Sequence, residues 1–436
     1  MIGSRIEITG RLTVLSALQI GTGDARTHAD IPGAEGDDAP LVAMVAEDCH
    51  GNPYLPGSGI KGVLRRFVGQ PDALFGPATI ASGTAAKSGR TIFRNAYFAA
   101  GPTKPMAGLD DRKAVDKTKG LIVEARIAKD PAAGVAGKGT LFHAQQVLPG
   151  TTFDLSLAVF DIDEIDKAEL IDILRALAQP DGIGFGKHTK QGLGRLRLDA
   201  SSVDVTFHGL GAPPVQLSDW ALQIEKPAPA RPATGPTHHL RLTSDVPFLI
   251  HDPLRTRQTN DHKTPHLQAL MAYDGAAPRL TGSSLLGALR AGFAYYEADG
   301  RERRTVAAGT WFEATSATDR LFGDVGWKGR VEVASLVPKG TPKMQKIMSL
   351  KLDRFSGAPM DNALFGTEGW VGCNFDLHLA LPLRAGLEPE EKALLAGDDT
   401  LFAAYLDGLT HDIWGGLYLG HGSNKGFGWF KVERLT

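Results

Sequence analysis

Apolar and polar residues alternate along "MIGSRIEITGRLTVLSALQIGTG" at the start of the chain, the period of a strand with one buried face. The same pattern returns in "GRTIFRNAYF" (Gly89 to Phe98), "GTTFDLSLAV" (Gly150 to Val159), "GRVEVASLVP" (Gly329 to Pro338) and "GCNFDLHLAL" (Gly372 to Leu381). Two longer stretches, "DEIDKAELIDILRALAQ" and "EPEEKALLAGDDTLFAAYLDGL", read as helices. "YLPGSGIKGVLRRF" (Tyr54 to Phe67) and "RLTGSSLLGALRAGF" (Arg279 to Phe293) each read as a strand end, a tight turn and a helix start.

In order, these elements form a tandem repeat. Pro40 precedes Gly57 by the same interval as Pro265 precedes Gly282, and "LFG" follows each turn, at Leu74–Gly76 and Leu321–Gly323. The strand pairs and the long helices come next. Each half then closes on a Gly-rich loop and a strand, "GKHTKQGLGRLRL" (Gly186 to Leu198) and "GHGSNKGFGWFKV" (Gly420 to Val432). A Pro/Ala-rich stretch between the halves suits an extended connector. The expected organisation is domain 1 over 1–224, a linker over 225–237 and domain 2 over 238–436. Each half has an α+β order of strands and helices around an antiparallel sheet, compatible with a ferredoxin-like core.

Composition changes this picture little. The chain has 436 residues, 42% hydrophobic and 22% charged, which suits two or three ordinary globular domains. A formal net charge of −2 confines any nucleic-acid surface to local stripes. Cys49 and Cys373 are the only cysteines and lie far apart, so a reducing cytoplasmic setting is expected. The N-terminal segment lacks the basic and apolar regions of a signal peptide. No apolar run approaches the roughly 18 residues that suggest a membrane span, so no membrane partner is expected.

Ser58, and Ser283 with Ser284, stand where an N-cap belongs. Free N–H groups at such a helix start suit a phosphate, and Lys61, Arg65, Arg66 and Arg290 follow on the helices. A plain capped core helix explains one copy equally well. The Gly-rich loops carry Lys187, His188, Lys190 and Gln191 in half 1, and Ser423, Asn424 and Lys425 in half 2, side chains able to meet phosphate or sugar hydroxyls. A tight hairpin before the last strand is the bland alternative. The long loop after the first strand holds Asp37 and Asp38 before Pro40, and Asp261 and His262 before Pro265. A carboxylate there could bind a divalent metal or position a 2′-hydroxyl, or the loop could simply be solvated. His238, His239, His251, His262 and His266 gather without an HExxH motif, and a metal site among those in the loop is one reading of them.

The ordered set "YLPGSGIKGVLR … LFG … GKHTKQGLGRLRL" and "LTGSSLLGALR … LFG … LKLDRFSG … GHGSNKGFGWFKV" resembles the RAMP superfamily of CRISPR-associated proteins. Within it, the chain looks like two fused Csm/Cmr-type backbone subunits of a type III effector complex. The resemblance implies an RRM-like, ferredoxin-like palm with a β-hairpin thumb in each half. It also implies stacking with other effector subunits along a CRISPR guide RNA, and a thumb that interrupts the guide–target RNA duplex at regular intervals. An Asp in a "DxPV" pattern of the first loop would then cut target RNA with Mg²⁺ or Mn²⁺, by 2′-hydroxyl attack that leaves a cyclic phosphate. Carried over through "DAPLV", that Asp is Asp38, with Asp37 beside it; in half 2 Asp261 is nearest, as catalytic residue and metal ligand, and Asp252 is more distant. Arg126 and Lys129 in half 1 and Arg354 in half 2 are further phosphate contacts. The thumbs are expected within 100–125 and 338–352, with Met344 or Met348 as an apolar wedge. Three rival readings accompany this one: a scaffold subunit that no longer cleaves, a RAMP nuclease that processes precursor CRISPR RNA with His188 as its base, and a scaffold of two α+β domains that binds no RNA.

Overall fold

A computed structural model of the chain describes residues 4–31, 39–67, 71–77, 88–129, 136–226, 235–255, 266–298, 316–324, 327–383, 386–411 and 415–435. Asp37, Asp38, Asp261 and His262 lie outside the described residues, and Lys129 is described only as backbone.

Half 1 contains β1 (Ser4–Val14), β2 (Gly21–Thr27), β3 (Leu41–Val45), β4 (Tyr54–Leu55), α1 (Gly57–Leu64) and α2 (Pro71–Phe75). It continues through β5 (Thr91–Phe93), β6 (Ala96–Ala100), β7 (Val115–Asp116), β8 (Leu121–Lys129), β9 (Ala136–Val147), β10 (Thr152–Phe160) and α3 (Glu164–Ala178). It closes with β11 (Ile183–Gly184), β12 (Arg195–Gly209), β13 (Val215–Gln216) and α4 (Ser218–Ile224). Half 2 has β14 (Thr237–Ser244), α5 (Gly282–Glu297), α6 (Ala317–Phe322), β15 (Glu332–Lys339), β16 (Lys343–Leu352), β17 (Pro359–Val371), β18 (Cys373–Ala380), α7 (Pro389–Leu409), β19 (Leu417–Tyr418) and β20 (Trp429–Arg434).

The main sheet of half 1 runs β11-β12-β1-β10-β6-β4, and that of half 2 runs β15-β18-β14-β20-β19. Their cores follow the alternation read from the sequence. Ile6, Ile8, Leu12 and Val14 of β1 are buried with Leu170, Ile173, Leu174 and Leu177 of α3. Phe375, Leu377 and Leu379 of β18 are buried with Phe402, Tyr405 and Leu406 of α7. The opposite faces carry matching cross-strand ion pairs, Arg11–Asp154 and Arg241–Asp376, both at 2.9 Å. The Asp163 side chain caps α3 by accepting from the Asp166 N–H at 2.8 Å, and a Glu388/Glu391 capping box opens α7.

The longest hairpins are β8–β9, within the sheet β2-β3-β9-β8-β7, and β16–β17, a two-stranded sheet of its own. They lie later than the sequence expectation: 100–125 reaches only the first residues of β8, and 338–352 covers only the first hairpin strand of half 2. The physical reason is visible in β8, whose opening residues Leu121, Ile122, Val123 and Glu124 are all buried, so no alternation marks it.

The halves meet along a charged seam. Arg112 donates to Asp252 at 2.7 Å and to Glu124 at 3.3 Å. Arg279 donates to Glu124 at 2.7 Å, and Arg255 bridges Asp111 and Glu368. Beneath these ions, Ile31, Val42, Ala114 and Val123 of half 1 pack on Leu254 of half 2.

Candidate nucleic-acid interface

The two Gly-rich loops share one backbone plan. Lys187 N–H donates to the Gln19 carbonyl at 2.9 Å, as His421 does to Leu249 at 2.7 Å. Gly194 N–H reaches Ala17 at 2.9 Å, as Gly428 reaches Pro247 at 2.8 Å. Each loop wraps a 3₁₀ turn, Thr189–Gln191 or Ser423–Lys425, between left-handed residues. In half 2 both of these are glycines. In half 1 one is His188, held at φ 60° where a side chain is strained.

The surroundings of the loops differ. The turn of half 1 is half-buried against half 2: Lys190 lies 3.9 Å from Glu332, and the Gln191 carbonyl sits on the start of α5. A Cβ on Gly282 would fall 2.1 Å from that carbonyl oxygen, so the approach requires glycine. The turn of half 2 is exposed at Ser423, Asn424 and Lys425. Lys425 Nζ lies 6.0 Å from the centre of the Phe365 ring.

The seam therefore gathers several sequence-chosen residues from both halves. Arg126 reaches Gln191 Oε1 in a long 3.5 Å contact, next to His188 and the exposed Lys187. From half 2 come Ser283 and Ser284 at the start of α5. Arg279, which was not singled out, stands over the Tyr273 ring at 4.7 Å. Burial depresses the proton affinity of Arg126 most; Glu124 opposes this and Arg279 adds to it. An anion beside Arg126 would offset the cost of burying its charge and the repulsion from Arg279. Glu124 is burdened by burial, yet Arg279 and Arg112 hold it below the usual carboxylate range. Burial, then Arg126 and Lys187, push His188 down to about 4. At that value the imidazole is neutral at pH 7.

Other residues have different tasks. Arg65 donates to the Gly76 carbonyl and, at 2.6 Å, to Asp72. Arg290 donates to Gly323 at 2.7 Å and to Asp319 at 3.4 Å. Both arginines thus clamp their own "LFG" turn rather than standing free for phosphate. The N-caps are Pro56 and Thr281, not the serines; Ser283 and Ser284 share hydrogen bonds with the Thr281 hydroxyl. Ser58 and Arg66 are exposed and Lys61 half-buried on the open end of half 1. Met344 packs against the core of half 2, so it is no wedge, while Met348 is 54% exposed and Arg354 projects at the hairpin tip. Asp252 is buried in the seam, where it accepts from Arg112 and from the Leu254 N–H.

The stem of the acidic loop of half 1 borders a polar cavity of about 280 Å³, lined by His28, Asp30, Glu47, Asp116, Lys119 and residues of β8. Among the described residues, no three His, Cys, Asp or Glu side chains converge to hold a metal. No described helix is long and apolar enough to cross a membrane.

Comparison with curated proteins returns no match. The family model of the RAMP superfamily matches residues 11–197 and again 273–431, one match to each half. The chain belongs to the RAMP superfamily, as a tandem fusion of two of its domains.

Proposed function

We propose that the chain is a guide-RNA-binding backbone subunit of a type III CRISPR effector complex, and that half 1 cleaves target RNA. In this reading each half is an RRM-like palm and each hairpin, β8–β9 or β16–β17, is its thumb. The observation that carries it is the seam, where Arg126, Lys187 and Gln191 of half 1 join Arg279 and the start of α5. Donors of this kind suit a sugar–phosphate backbone and leave sequence choice to base pairing. The seam also supports stacking with neighbouring subunits. It docks the loop of one half on the helix start of the next, and leaves an exposed Ser58 end and an exposed Ser423–Lys425 end.

Chemistry is assigned to Asp38, with Asp37 beside it, and to Asp261 in half 2. One carboxylate would orient the 2′-hydroxyl of the target for attack on its own phosphodiester, leaving a cyclic phosphate and a free 5′-hydroxyl. A divalent cation, Mg²⁺ or Mn²⁺, held by Asp38 or Asp261, would supply charge neutralisation at the phosphate. The reading is supported by the polar cavity at His28 and Asp30, which precede that loop in the chain, because its lining also includes Leu121, Ile122 and Val123 of β8.

The test is the D37A/D38A/D261A variant assembled with guide RNA and the other subunits. Guide binding should be retained and target cleavage lost. Cuts persisting at the original positions would refute the aspartate assignment. Failure of the wild-type chain to retain any guide RNA would refute the whole reading.

A further inference from the structure

We propose that Phe142 and Phe365 are nucleobase-stacking residues, one in each half; the proposal rests on the RNA-binding reading above. The two positions are equivalent by backbone geometry. In half 1 Leu18 and Val147 exchange N–H···O bonds of 2.9 and 2.7 Å, and in half 2 Phe248 and Trp370 do so at 2.8 Å each. Counting back along β9 from Val147 and along β17 from Trp370 by the same number of residues reaches Phe142 and Phe365. The hairpins otherwise share little sequence, yet both hold phenylalanine here.

Neither ring belongs to a core. Phe142 is 46% exposed and Phe365 is half-buried, positions that folding alone does not explain. Each ring stands beside the Gly-rich loop of its own half, with a cation close by. Arg126 is the direct cross-strand partner of Phe142 and contacts Gln191 of the loop. Lys425, at the loop position matching Gln191, lies 6.0 Å above the Phe365 ring. A flat apolar face next to a cation and a close-approaching backbone suits a base on the ring and its phosphate on the cation. A protein partner would be expected to bring an apolar surface and leave these cations unused. The site differs from the expected wedge: Met348 pairs with Gly366, so it projects from the opposite face of the ribbon to the Ser349/Phe365 pair.

The experiment uses the full chain and a fluorescein-labelled oligouridylate, with an abasic oligomer of equal length as control. F142A and F365A should each weaken oligouridylate binding about tenfold, the scale of one base–aromatic stack, with an unchanged salt slope. F142L and F365L, which keep the apolar bulk, should lose as much; F142Y and F365Y should bind as wild type does. On the abasic oligomer all variants should match wild type. Equal penalties on both oligomers would overturn the proposal, as would full oligouridylate affinity in the alanine variants. Loss of effector-subunit co-purification at full RNA affinity would overturn it in favour of a protein contact. A wild-type chain that binds neither oligomer would refute the RNA-binding reading itself.

Discussion

Replacing Asp252 tests both the rigidity of the seam and the assignment of chemistry. Its carboxylate lies 2.7 Å from Arg112 Nε, with side-chain exposures of 3% and 2%. At an effective dielectric of about 20, charges about 3 Å apart attract by roughly 5 kcal/mol before desolvation is counted. Removing one partner of a buried pair typically costs about 3–5 kcal/mol, because the other charge stays buried. Arg112 would keep Glu124 at 3.3 Å, which moves the pair's share towards about 3 kcal/mol. Asp252 also accepts the Leu254 N–H at 3.1 Å, worth about 1 kcal/mol. D252A should therefore lose about 4 kcal/mol in urea denaturation. The calorimetric trace should split into two transitions as the halves uncouple. The double variant R112M/D252L, which replaces the buried charges with hydrocarbon, should recover most of the loss. In the assembled complex D252N, which keeps the shape, should still cleave target RNA. A D252A chain within about 1 kcal/mol of wild type would refute the buried-pair argument. Cleavage lost by D252N at unchanged stability would instead make Asp252 part of the chemistry.

Arg65 and Arg290 should behave as structural clamps: R65A and R290A each lose about 2 kcal/mol of stability while the salt slope of RNA binding stays at its wild-type value. A shallower slope at unchanged melting temperature would return them to the phosphate surface. His188 sets an acid limit. Its folded value of about 4 lies below the unfolded 6.5, so the unfolded chain takes the proton first and stability falls as pH drops from about 6.5 towards about 4. H188Q should flatten that part of the pH–stability curve and leave pH 7 to 8 unchanged; an undiminished acid slope would contradict the burial and the Arg126 contact.

The repeat was legible because its elements make backbone contacts that few residue types satisfy. An arginine after the turn reaches the carbonyl of the "LFG" glycine in both halves, so both motifs recur together. The same contacts give the recurrence of Arg65 and Arg290 its own explanation: a shared fold constraint produces it without a shared ligand. The capping serines were misread because Pro56 and Thr281, one residue before each glycine, fill the cap position. The seam left no sequence signal. Arg112 and Asp252 belong to different halves and to irregular segments without periodicity, and only folding brings them together. Phe142 was hidden in an ordinary alternating strand, where nothing in the sequence separates an inward ring from one left open.

The seam also bears on how the proposed stack would select neighbours. A loop-to-helix contact joins two different surfaces, so it leaves one of each unused at the ends of the pair. At the seam Lys190 faces Glu332 at 3.9 Å. The matching position on the free loop is Asn424, since both follow the first residue of the 3₁₀ turn. The matching position on the free end of half 1 is Ile92, since Ile92 pairs with Ala158 as Glu332 pairs with Ala380. A neighbour docking on that end with an uncharged residue, as Asn424 is, buries no charge there. A loop carrying lysine would set an ammonium against hydrocarbon, with no carboxylate at the position Glu332 fills in the seam. In the proposed stack the ionic contact would thus be private to the fused pair, and the open ends would discriminate against the loop the pair already uses.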